Sequence, residues 1–362
     1  MNMSEKSKAH VDSCRFCWMC HHICPIGNAT GQERNTARAR ALGISMVNRE
    51  SIDLSEIMDN IYECATCGAC VHECVTGWDP VMFTKETRLQ AALEDKLPEY
   101  INKMLDSALE LGNPYGKSEL DRALADAIET HSDKNDLLFW LGTDARYMAS
   151  SEGIRAIKVM EKTGVPFTVL ADETASGAQL DFLIGGAEET KEQMLRAAEV
   201  MNGYKTVVIY DPNDAKAVMQ TYKEYGVEVK ASVMTYTSYL AEAVESGKLA
   251  LKKTDKTVVI QDPYQLSRDL GESDAIRTVA GAVAGVEEML CNRDQTAWAG
   301  NILMAAYMPE IIKKVAARRI FNAKSVGAKA MLTASVSEYV ALRSVEQDEV
   351  EILSLEDLIL GE

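Results

Sequence analysis

Cys14-Arg15-Phe16-Cys17-Trp18-Met19-Cys20-His21-His22-Ile23-Cys24-Pro25 sets four cysteines at intervals of three, three and four residues. A second run of four, Cys64, Cys67, Cys70 and Cys74, repeats these intervals without the proline. The chain has nine cysteines, and eight of them lie in these two runs. A secreted domain stapled by disulfides would spread its cysteines along the chain, whereas clusters of this kind in a reducing compartment usually bind metal.

The intervals are those of the bacterial two-cluster ferredoxins. A cubane needs four thiolates at tetrahedral corners, so three closely spaced cysteines wrap one cluster and the fourth ligand comes from elsewhere. In two-cluster ferredoxins it comes from the other run. On this similarity we expect two [4Fe-4S] clusters, cluster 1 on Cys14, Cys17, Cys20 and Cys74, and cluster 2 on Cys64, Cys67, Cys70 and Cys24. Structural zinc and disulfides are the alternatives, although zinc sites favour two separated cysteine pairs.

The two runs match beyond their cysteines. His22 and His72 each follow the third cysteine by two residues, and Gly27 and Gly77 each follow the fourth by three. This predicts a pseudo-twofold pair, in which the histidines either tune the cluster potential or are simply solvated or packed. Residues 33–47 and 52–62 between the runs have helical periodicity. We therefore expect a mainly helical ferredoxin domain over residues 1–95.

The charge excludes one class of function. The chain has 38 Lys and Arg against 55 Asp and Glu, a net charge of −17, whereas nucleic-acid binding needs a basic face. Anionic membrane surfaces are disfavoured for the same reason. Residues 1–40 differ, with six basic and three acidic residues. The basic side chains near Arg34, Arg38 and Arg40 form either a rim for an acidic redox partner or an ordinary solvated helix face.

The sequence shows no targeting pattern and no familiar catalytic motif. Residues 1–10 are polar and charged, unlike a secretory signal, and the apolar stretches 275–286 and 297–308 are too short or too interrupted to span a bilayer. We expect a cytoplasmic protein without a transmembrane segment. The sequence also contains no Walker loop, no G-x-G-x-x-G after a strand, no H-E-x-x-H and no G-x-S-x-G, so no catalytic residue is assigned.

The rest of the chain is predicted to be a helical connector followed by an α/β region. Residues 85–128 have helical periodicity, with a break at Gly112-Asn113-Pro114. After Asp136, short apolar runs alternate with helical segments, which implies parallel sheets with crossover helices. The predicted strands are 137–141, 166–170, 206–210, 227–229, 257–260, 330–333 and 350–353.

An internal repeat indicates that the α/β region is two similar lobes. Residues 203–209 and a short run at 227–229 correspond to residues 327–333 and 350–352, and Ile154-Arg155 before Gly164 corresponds to Ile276-Arg277 before Gly285. The expected domains are the ferredoxin domain at 1–95, a helical connector at 96–134, lobe 1 at 135–250 and lobe 2 at 251–362.

A family resemblance covers nearly the whole chain. It rests on the run Cys14 to Arg40, with Ala29-Thr30-Gly31, and on Asp262-Pro263-Tyr264-Gln265-Leu266-Ser267-Arg268-Asp269-Leu270-Gly271. These segments resemble the iron-sulfur subunits of glycolate oxidase and anaerobic glycerol-3-phosphate dehydrogenase, and heterodisulfide reductase, whose lobes are cysteine-rich (CCG) domains. The resemblance implies an FAD-dependent dehydrogenase of the glycolate or lactate oxidase kind, or an electron-transferring flavoprotein, as partner.

The lobes depart from that family, in which lobe cysteines can hold a further metal centre. The matching positions look like Tyr264, Trp298, Ala299, Ser335 and Glu338 in lobe 2, and Thr143, Ala175, Ser176, Asp211 and Asp214 in lobe 1. Cys291 is the remaining cysteine, and it does not match a family ligand position. We interpret it as a small apolar residue at a strand end.

Three functions remain open. The first is an electron-transfer subunit that relays single electrons through two clusters, with no flavin or nucleotide in this chain. The second is a heterodisulfide or quinone reductase acting at the lobes, against which the missing lobe cysteines weigh. The third is a redox or iron sensor.

Overall fold

The N-terminal part of the chain is a set of short helices around the cysteine runs. The computed structural model describes residues 3–361. Residues 1 and 2 of the polar N-terminal segment lie outside this range. The helices are α1 (Glu5–Val11), α2 (Met19–Ile23), α3 (Pro25–Thr30), α4 (Ala37–Asn48), α5 (Met58–Tyr62) and α6 (Ala69–His72), with 3-10 turns at Glu33–Asn35 and Leu54–Ile57.

Capping residues divide the two helices predicted between the runs. Thr36 accepts a hydrogen bond from the backbone N–H of Ala39, which starts α4 and separates it from the preceding 3-10 turn. Asp53 and Glu56 form a capping box at the start of the second 3-10 turn, which continues into α5. The predicted helical segments are confirmed, but each is a 3-10 turn followed by an α-helix.

The connector helices pack on two different cores. They are α7 (Pro80–Leu93), α8 (Glu99–Leu111) and α9 (Arg122–Glu129). Gly112 ends α8 in the left-handed conformation, at the predicted break. Ile101 and Met104 of α8 join the core that contains Cys24 and Cys67. Leu124 and Ile128 of α9 instead join the core of the lobes.

Lobe 1 is built on a three-stranded parallel sheet. Strands β1 (Leu137–Trp140), β2 (Thr206–Ile209) and β3 (Ser232–Thr235) lie in the order β1-β2-β3, and a single bridge joins Leu138 to Thr168 on the outer side of β1. Its helices are α10 (Thr143–Tyr147), α11 (Ser150–Lys162), α12 (Ala178–Ile184), α13 (Glu188–Met201), α14 (Pro212–Lys216), α15 (Tyr222–Glu224) and α16 (Tyr236–Glu245), with a π-turn at Ala217–Thr221.

Lobe 2 repeats this arrangement. Strands β4 (Thr257–Gln261), β5 (Gly285–Glu287), β6 (Ala330–Thr333) and β7 (Glu351–Ser354) form a parallel sheet in the order β5-β4-β6-β7. With the bridge at Thr168 counted as an edge, both sheets have the same strand order. The helices are α17 (Asp274–Val283), α18 (Ile302–Ala305), α19 (Pro309–Ser325), α20 (Val336–Arg343) and α21 (Leu355–Leu360), with a π-turn at Gln265–Asp269 and a 3-10 turn at Arg293–Gln295.

The predicted α/β class with two similar lobes is confirmed, and two predicted strands are wrong. Residues 166–170 contribute only the bridge at Thr168, and residues 227–229 form no ladder. Val227 is buried against the lobe 1 core, so its apolar character reflects packing. The hydrogen-bonded strand follows at β3. Within residues 3–361, no helix has the length and apolar character needed to cross a membrane.

Arg88 of α7 joins the helical part to lobe 1. Its side chain is fully buried and donates hydrogen bonds to the backbone carbonyls of Phe182 (2.6 Å), Ile61 (3.0 Å) and Cys64 (2.7 Å). Its guanidinium also lies over the rings of Tyr62 and Phe182. One side chain thus ties the start of the second cysteine run to helix α12.

Replacement of Arg88 by methionine keeps most of the volume but removes the donors to three carbonyls, of which that of Ile61 still accepts from the N–H of Cys64. We expect Arg88→Met to lower the free energy of unfolding by about 2 kcal/mol, at roughly 1 kcal/mol for each of the carbonyls of Phe182 and Cys64. Anaerobic urea unfolding followed by tryptophan fluorescence measures this. Arg122→Met, at an exposed position of α9, is the control and should change stability by less than about 0.5 kcal/mol. Equal effects of the two variants would contradict this role for Arg88.

Candidate metal centre

The two cysteine runs follow the same backbone path. Phe16 and Trp18 adopt the left-handed conformation, with φ of 56° and 67°, and so do Thr66 and Gly68 fifty residues later, with φ of 49° and 69°. A short helix follows each of these loops, α2 in the first run and α6 in the second. The repeated spacing therefore corresponds to a repeated, strained loop conformation.

This conformation turns backbone N–H groups towards sulfur. The N–H of Phe16 donates to Sγ of Cys14, and the N–H of Thr66 donates to Sγ of Cys64, both at 3.4 Å. The N–H of Gly27 donates in the same way to Sγ of Cys24 at 3.4 Å. Donors of this kind favour the thiolate over the thiol. The thiolate is the form that binds metal.

Each run contributes to both of two neighbouring cavities. One cavity is lined by Cys14, Cys17, Cys20 and Cys74, and the other by Cys24, Cys64, Cys67 and Cys70. Cys70 also borders the first cavity, so the two are adjacent. The structure thus brings together the same two sets of four that the sequence predicts, although the assignment of ligands remains a prediction.

The grouping of these thiols differs from a mononuclear metal site. Each of the nine cysteines is a free thiol. Among residues 3–361, no three cysteine, histidine or carboxylate side chains come close enough together to hold one metal ion. The four thiols of each set instead border one cavity.

Two arginines of α4 also line the cavities. Arg38 borders the first cavity and Arg40 the second. Arg40 is buried, and the nearby thiolates of Cys64, Cys24 and Cys70 raise its pKa although burial lowers it. Its Nε donates to the carbonyl of Asn60 at 3.0 Å, whereas its buried Nη2 has no hydrogen-bond partner among the described residues. The free donor and the positive charge fit an anionic iron-sulfur cluster.

The expected position of Arg40 on a solvated basic rim is wrong, because its side chain is buried beside the second cavity. Side chains two positions apart on a helix point in different directions, so the sequence itself indicates that Arg38 and Arg40 lie at different places. Arg34 is exposed but is paired with Glu63.

Burial keeps several of the thiols neutral before metal binds. It raises the pKa of Cys20 and of Cys67 to about 11, and it raises that of Cys70. Cys74 differs because hydrogen bonds from Thr76 and from the backbone that follows outweigh the effect of burial and lower its pKa. Metal binding at Cys20, Cys67 and Cys70 would therefore release protons.

The two histidines are not placed alike. His22 is exposed. The Nε2 of His72 lies 3.2 Å from the amide of Gln295 and 3.6 Å from a carboxylate oxygen of Asp294, so this side chain contacts lobe 2. The packed or solvated interpretation fits both positions.

The lobe 2 positions that match family ligands are filled by packed side chains. All five are buried, and Tyr264 and Trp298 belong to the same core as Cys67. Both carboxyl oxygens of Glu338 are used, one by the N–H of Ala299 at 3.3 Å and one by Gln261 at 3.0 Å. Burial raises the pKa of Glu338 to about 8 despite these hydrogen bonds.

The corresponding lobe 1 positions form a similar arrangement. Ser176 donates to Oδ1 of Asp214 at 2.6 Å, and Asp211 caps α14 by accepting from the N–H of Asn213 at 2.8 Å. Thr143 is buried at the start of α10, and Ala175 is half-buried. Burial raises the pKa of Asp214 to about 7. Asp214 and Glu338 follow equivalent strands, so each lobe holds one buried carboxyl at an equivalent place in its fold.

Cys291 lies apart from these positions. It is half-buried in the left-handed conformation, with φ of 57°, and its carbonyl accepts from Arg319 at 2.7 Å. It lies in the loop after β5, so the expected position near a strand end agrees with the structure.

Comparison with known proteins agrees with this geometry. Residues 10–78 match the 4Fe-4S dicluster domain family. The chain is 23% identical over 364 residues to the D subunit of dihydromethanophenazine:CoB--CoM heterodisulfide reductase from Methanosarcina acetivorans, covering 92% of this chain and 88% of the relative. The D subunit of the Methanosarcina mazei reductase is 24% identical over 90% and 87% of the two chains. A probable membrane-anchored ferredoxin from Chromohalobacter salexigens is 25% identical, over 72% of this chain and 39% of its own length.

One solved structure has a similar fold over almost the whole chain. It is a hypothetical protein from Helicobacter pylori, with a TM-score of 0.53 and 10% sequence identity, covering 99% of this chain and 72% of that one. The family match covers the cysteine runs and the relatives cover the lobes as well. The chain is an iron-sulfur electron-transfer protein related to the D subunit of heterodisulfide reductase.

Proposed function

We propose that this chain relays single electrons through two [4Fe-4S] clusters, cluster 1 on Cys14, Cys17, Cys20 and Cys74 and cluster 2 on Cys64, Cys67, Cys70 and Cys24. The observation that carries the proposal is the crossing of the runs, because each cavity is bordered by the first three cysteines of one run and the fourth of the other, with Cys70 also at the border of the first cavity.

The protein's part in the relay is to hold and bias the clusters. A bound [4Fe-4S] cluster accepts and returns one electron at a time. The chain supplies the thiolates, donates backbone N–H groups to their sulfurs and places Arg38 and Arg40 beside the two cavities. Hydrogen bonds to sulfur, nearby charge and burial are the factors that set cluster potential. The adjacency of the cavities at Cys70 supports transfer between the clusters.

The partner in this proposal is an FAD-dependent dehydrogenase of the glycolate or lactate oxidase kind, or an electron-transferring flavoprotein. The chain itself would carry no flavin or nucleotide. Support comes from the family resemblance and from relatives whose names describe them as subunits of a larger reductase. The ligand cysteines must stay reduced until the clusters are assembled, so we place the protein in the cytoplasm.

The lobes act as a scaffold in this proposal. The side chains at the family's ligand positions are buried and bonded to one another, as Glu338 is to Ala299 and Gln261, and Asp214 is to Ser176. Catalysis of heterodisulfide reduction at the lobes is the second possibility. It is less well supported, because these positions lack the cysteine thiols that the family uses.

Cysteine variants test the relay and the crossing together. Anaerobically purified protein should contain about eight irons per chain, and Cys67→Ala should contain about four, since one cluster loses a ligand. Cys24→Ala should lose the same EPR signal as Cys67→Ala, whereas Cys74→Ala and Cys17→Ala should lose the other. Cys291→Ala is the matched control and should keep both signals. Loss of the same EPR signal in the Cys24→Ala variant and in the Cys17→Ala variant would instead show that each run holds its own cluster.

The scaffold role of lobe 1 predicts a particular pH dependence. Burial raises the pKa of Asp214 from 3.8 to about 7, and the carboxylates of Glu173 and Asp144 add to this, while Ser176 opposes it. The folded state thus holds the proton more tightly than the unfolded state. The stability due to this group is full below about pH 4 and is lost as the pH rises through 7.

The Asp214→Asn variant has an amide in place of the carboxyl and so has no group to ionise at this position. Its free energy of unfolding should be close to that of the unmodified protein at pH 4 and higher at pH 8. Anaerobic thermal unfolding across this range measures the difference. Asp126→Asn, at an exposed position, is the control and should follow the unmodified protein. Iron content should be unchanged in both variants. A stability difference for Asp214→Asn that is independent of pH would contradict the assignment.

A further inference from the structure

The two cysteine loops share a conformation but differ in exposure. In the second loop, Ala65, Thr66 and Cys67 are buried. In the first, the five residues from Arg15 to Met19 are all exposed, including the ligand cysteine Cys17. The pseudo-symmetry of the backbone is therefore broken at the surface.

Lobe 2 covers the second loop. Nη1 of Arg268 donates to the carbonyl of Cys67 at 2.8 Å, while its Nε donates to the carbonyl of Asp294 at 2.9 Å. The covered loop has Gly68 where the first loop has Trp18, and a Cβ built on Gly68 would lie 4.0 Å from Cδ of Arg268. Glycine at this position thus lies in van der Waals range of the arginine that covers the loop. The chain itself thus shows how such a loop is covered by a neighbouring surface.

The first loop and the residue after Cys74 carry a group of exposed apolar side chains that we call the cluster 1 face. Val75 is 90% exposed, Phe16 63%, Met19 46% and Trp18 43%. Phe16 is the one member outside the lining of the Cys14, Cys17, Cys20 and Cys74 cavity. Contiguous exposed apolar surface of this kind typically marks a binding site.

Two arginines bring positive charge to this face, in a chain with a net charge of −17. Arg15 is exposed within the loop. The Arg38 guanidinium lies 4.0 Å from the ring centroid of Trp18 and 4.9 Å from that of Phe16, which places its charge among the apolar groups. A complementary surface would have an apolar centre and an acidic rim.

We propose that the cluster 1 face is the docking site for a folded one-electron carrier protein with an apolar centre and an acidic rim around its redox group. Each transfer moves one electron and no atoms, so one centre is oxidised as the other is reduced. The inference rests on the proposed relay. It adds that cluster 1 is the cluster that exchanges electrons with the partner.

The test uses whole protein and two carriers of opposite charge. Dithionite-reduced protein, freed of excess dithionite, is mixed by stopped flow with oxidised plastocyanin, an acidic copper protein, or with cytochrome c, a basic haem protein. Benzoquinone, which is small and uncharged, reports access to the clusters without protein docking. The variants are Arg15→Glu and Val75→Glu, which alter the face from two separate segments. Leu195→Glu places the same charge on an exposed apolar position of α13 in lobe 1.

We expect each face variant to lower the second-order rate constant for plastocyanin at low ionic strength by about five-fold or more, with the difference shrinking as salt is added. The rate constants for cytochrome c should not fall, and those for benzoquinone should not change. Leu195→Glu should match the unmodified protein with plastocyanin. Equal rates for the face variants and the unmodified protein, or an equal loss for Leu195→Glu, would overturn the docking site.

Iron content and EPR separate this inference from the relay. Absence of two cluster signals in the unmodified protein would overturn the relay itself. Two intact EPR signals in all variants, with plastocyanin rate constants equal in the face variants and the unmodified protein, would overturn only the docking site. If one face variant loses iron, the other still decides the outcome, because Arg15 and Val75 lie in different loops.

Discussion

Each four-thiol cavity is bordered by cysteines of both runs, and the rest of the N-terminal structure follows from this arrangement. Cys24 lies at the cavity of the second run and Cys74 at that of the first. The segment between the runs must therefore fold back on itself, which α4 and α5 accomplish by packing in the core that contains Cys24 and Cys67. Metal ligation and core formation are consequently coupled, since the same residues that border the cavities also bury apolar surface.

The pairing of the runs leaves two equivalent loop surfaces, and the lobes cover one of them. Arg268 and the core residue Tyr264 approach the second loop from lobe 2, and Arg88 ties the same loop to lobe 1 through the carbonyl of Cys64. The side chains of the first loop remain exposed, although burial of their apolar area would stabilise the chain. Two similar cluster sites in one domain thus acquire different surroundings, one inside the molecule and one at its surface.

Features that depend on residue periodicity or spacing are predicted well from the sequence, whereas contacts between distant segments are predicted poorly. The cysteine intervals predict the two sets of thiols because ligand spacing is local, and strand β6 matches its predicted bounds because it is a short, fully buried run. Residues 227–229 were predicted as a strand, but apolar character alone does not distinguish a ladder from a packed loop. Helix geometry separates Arg40 from Arg38, but the burial of Arg40 beside a cavity and the covering of the second loop by Arg268 depend on contacts between distant segments, which residue spacing does not identify.

The lobes show how buried polar side chains at the ends of parallel strands are satisfied by hydrogen bonds. Parallel strands end at a common edge, where polar side chains gather and need partners. In lobe 2 that need is met by Glu338, which accepts from Gln261 and from a backbone N–H, and in lobe 1 by Asp214 with Ser176. Both carboxyls have a raised pKa because they are buried, so each is favoured in the protonated, neutral form that a buried site tolerates. Hydrogen bonds of this kind hold the buried edges of both sheets, and lobe 2 thereby keeps in place the surface that contacts the second cysteine loop through Arg268.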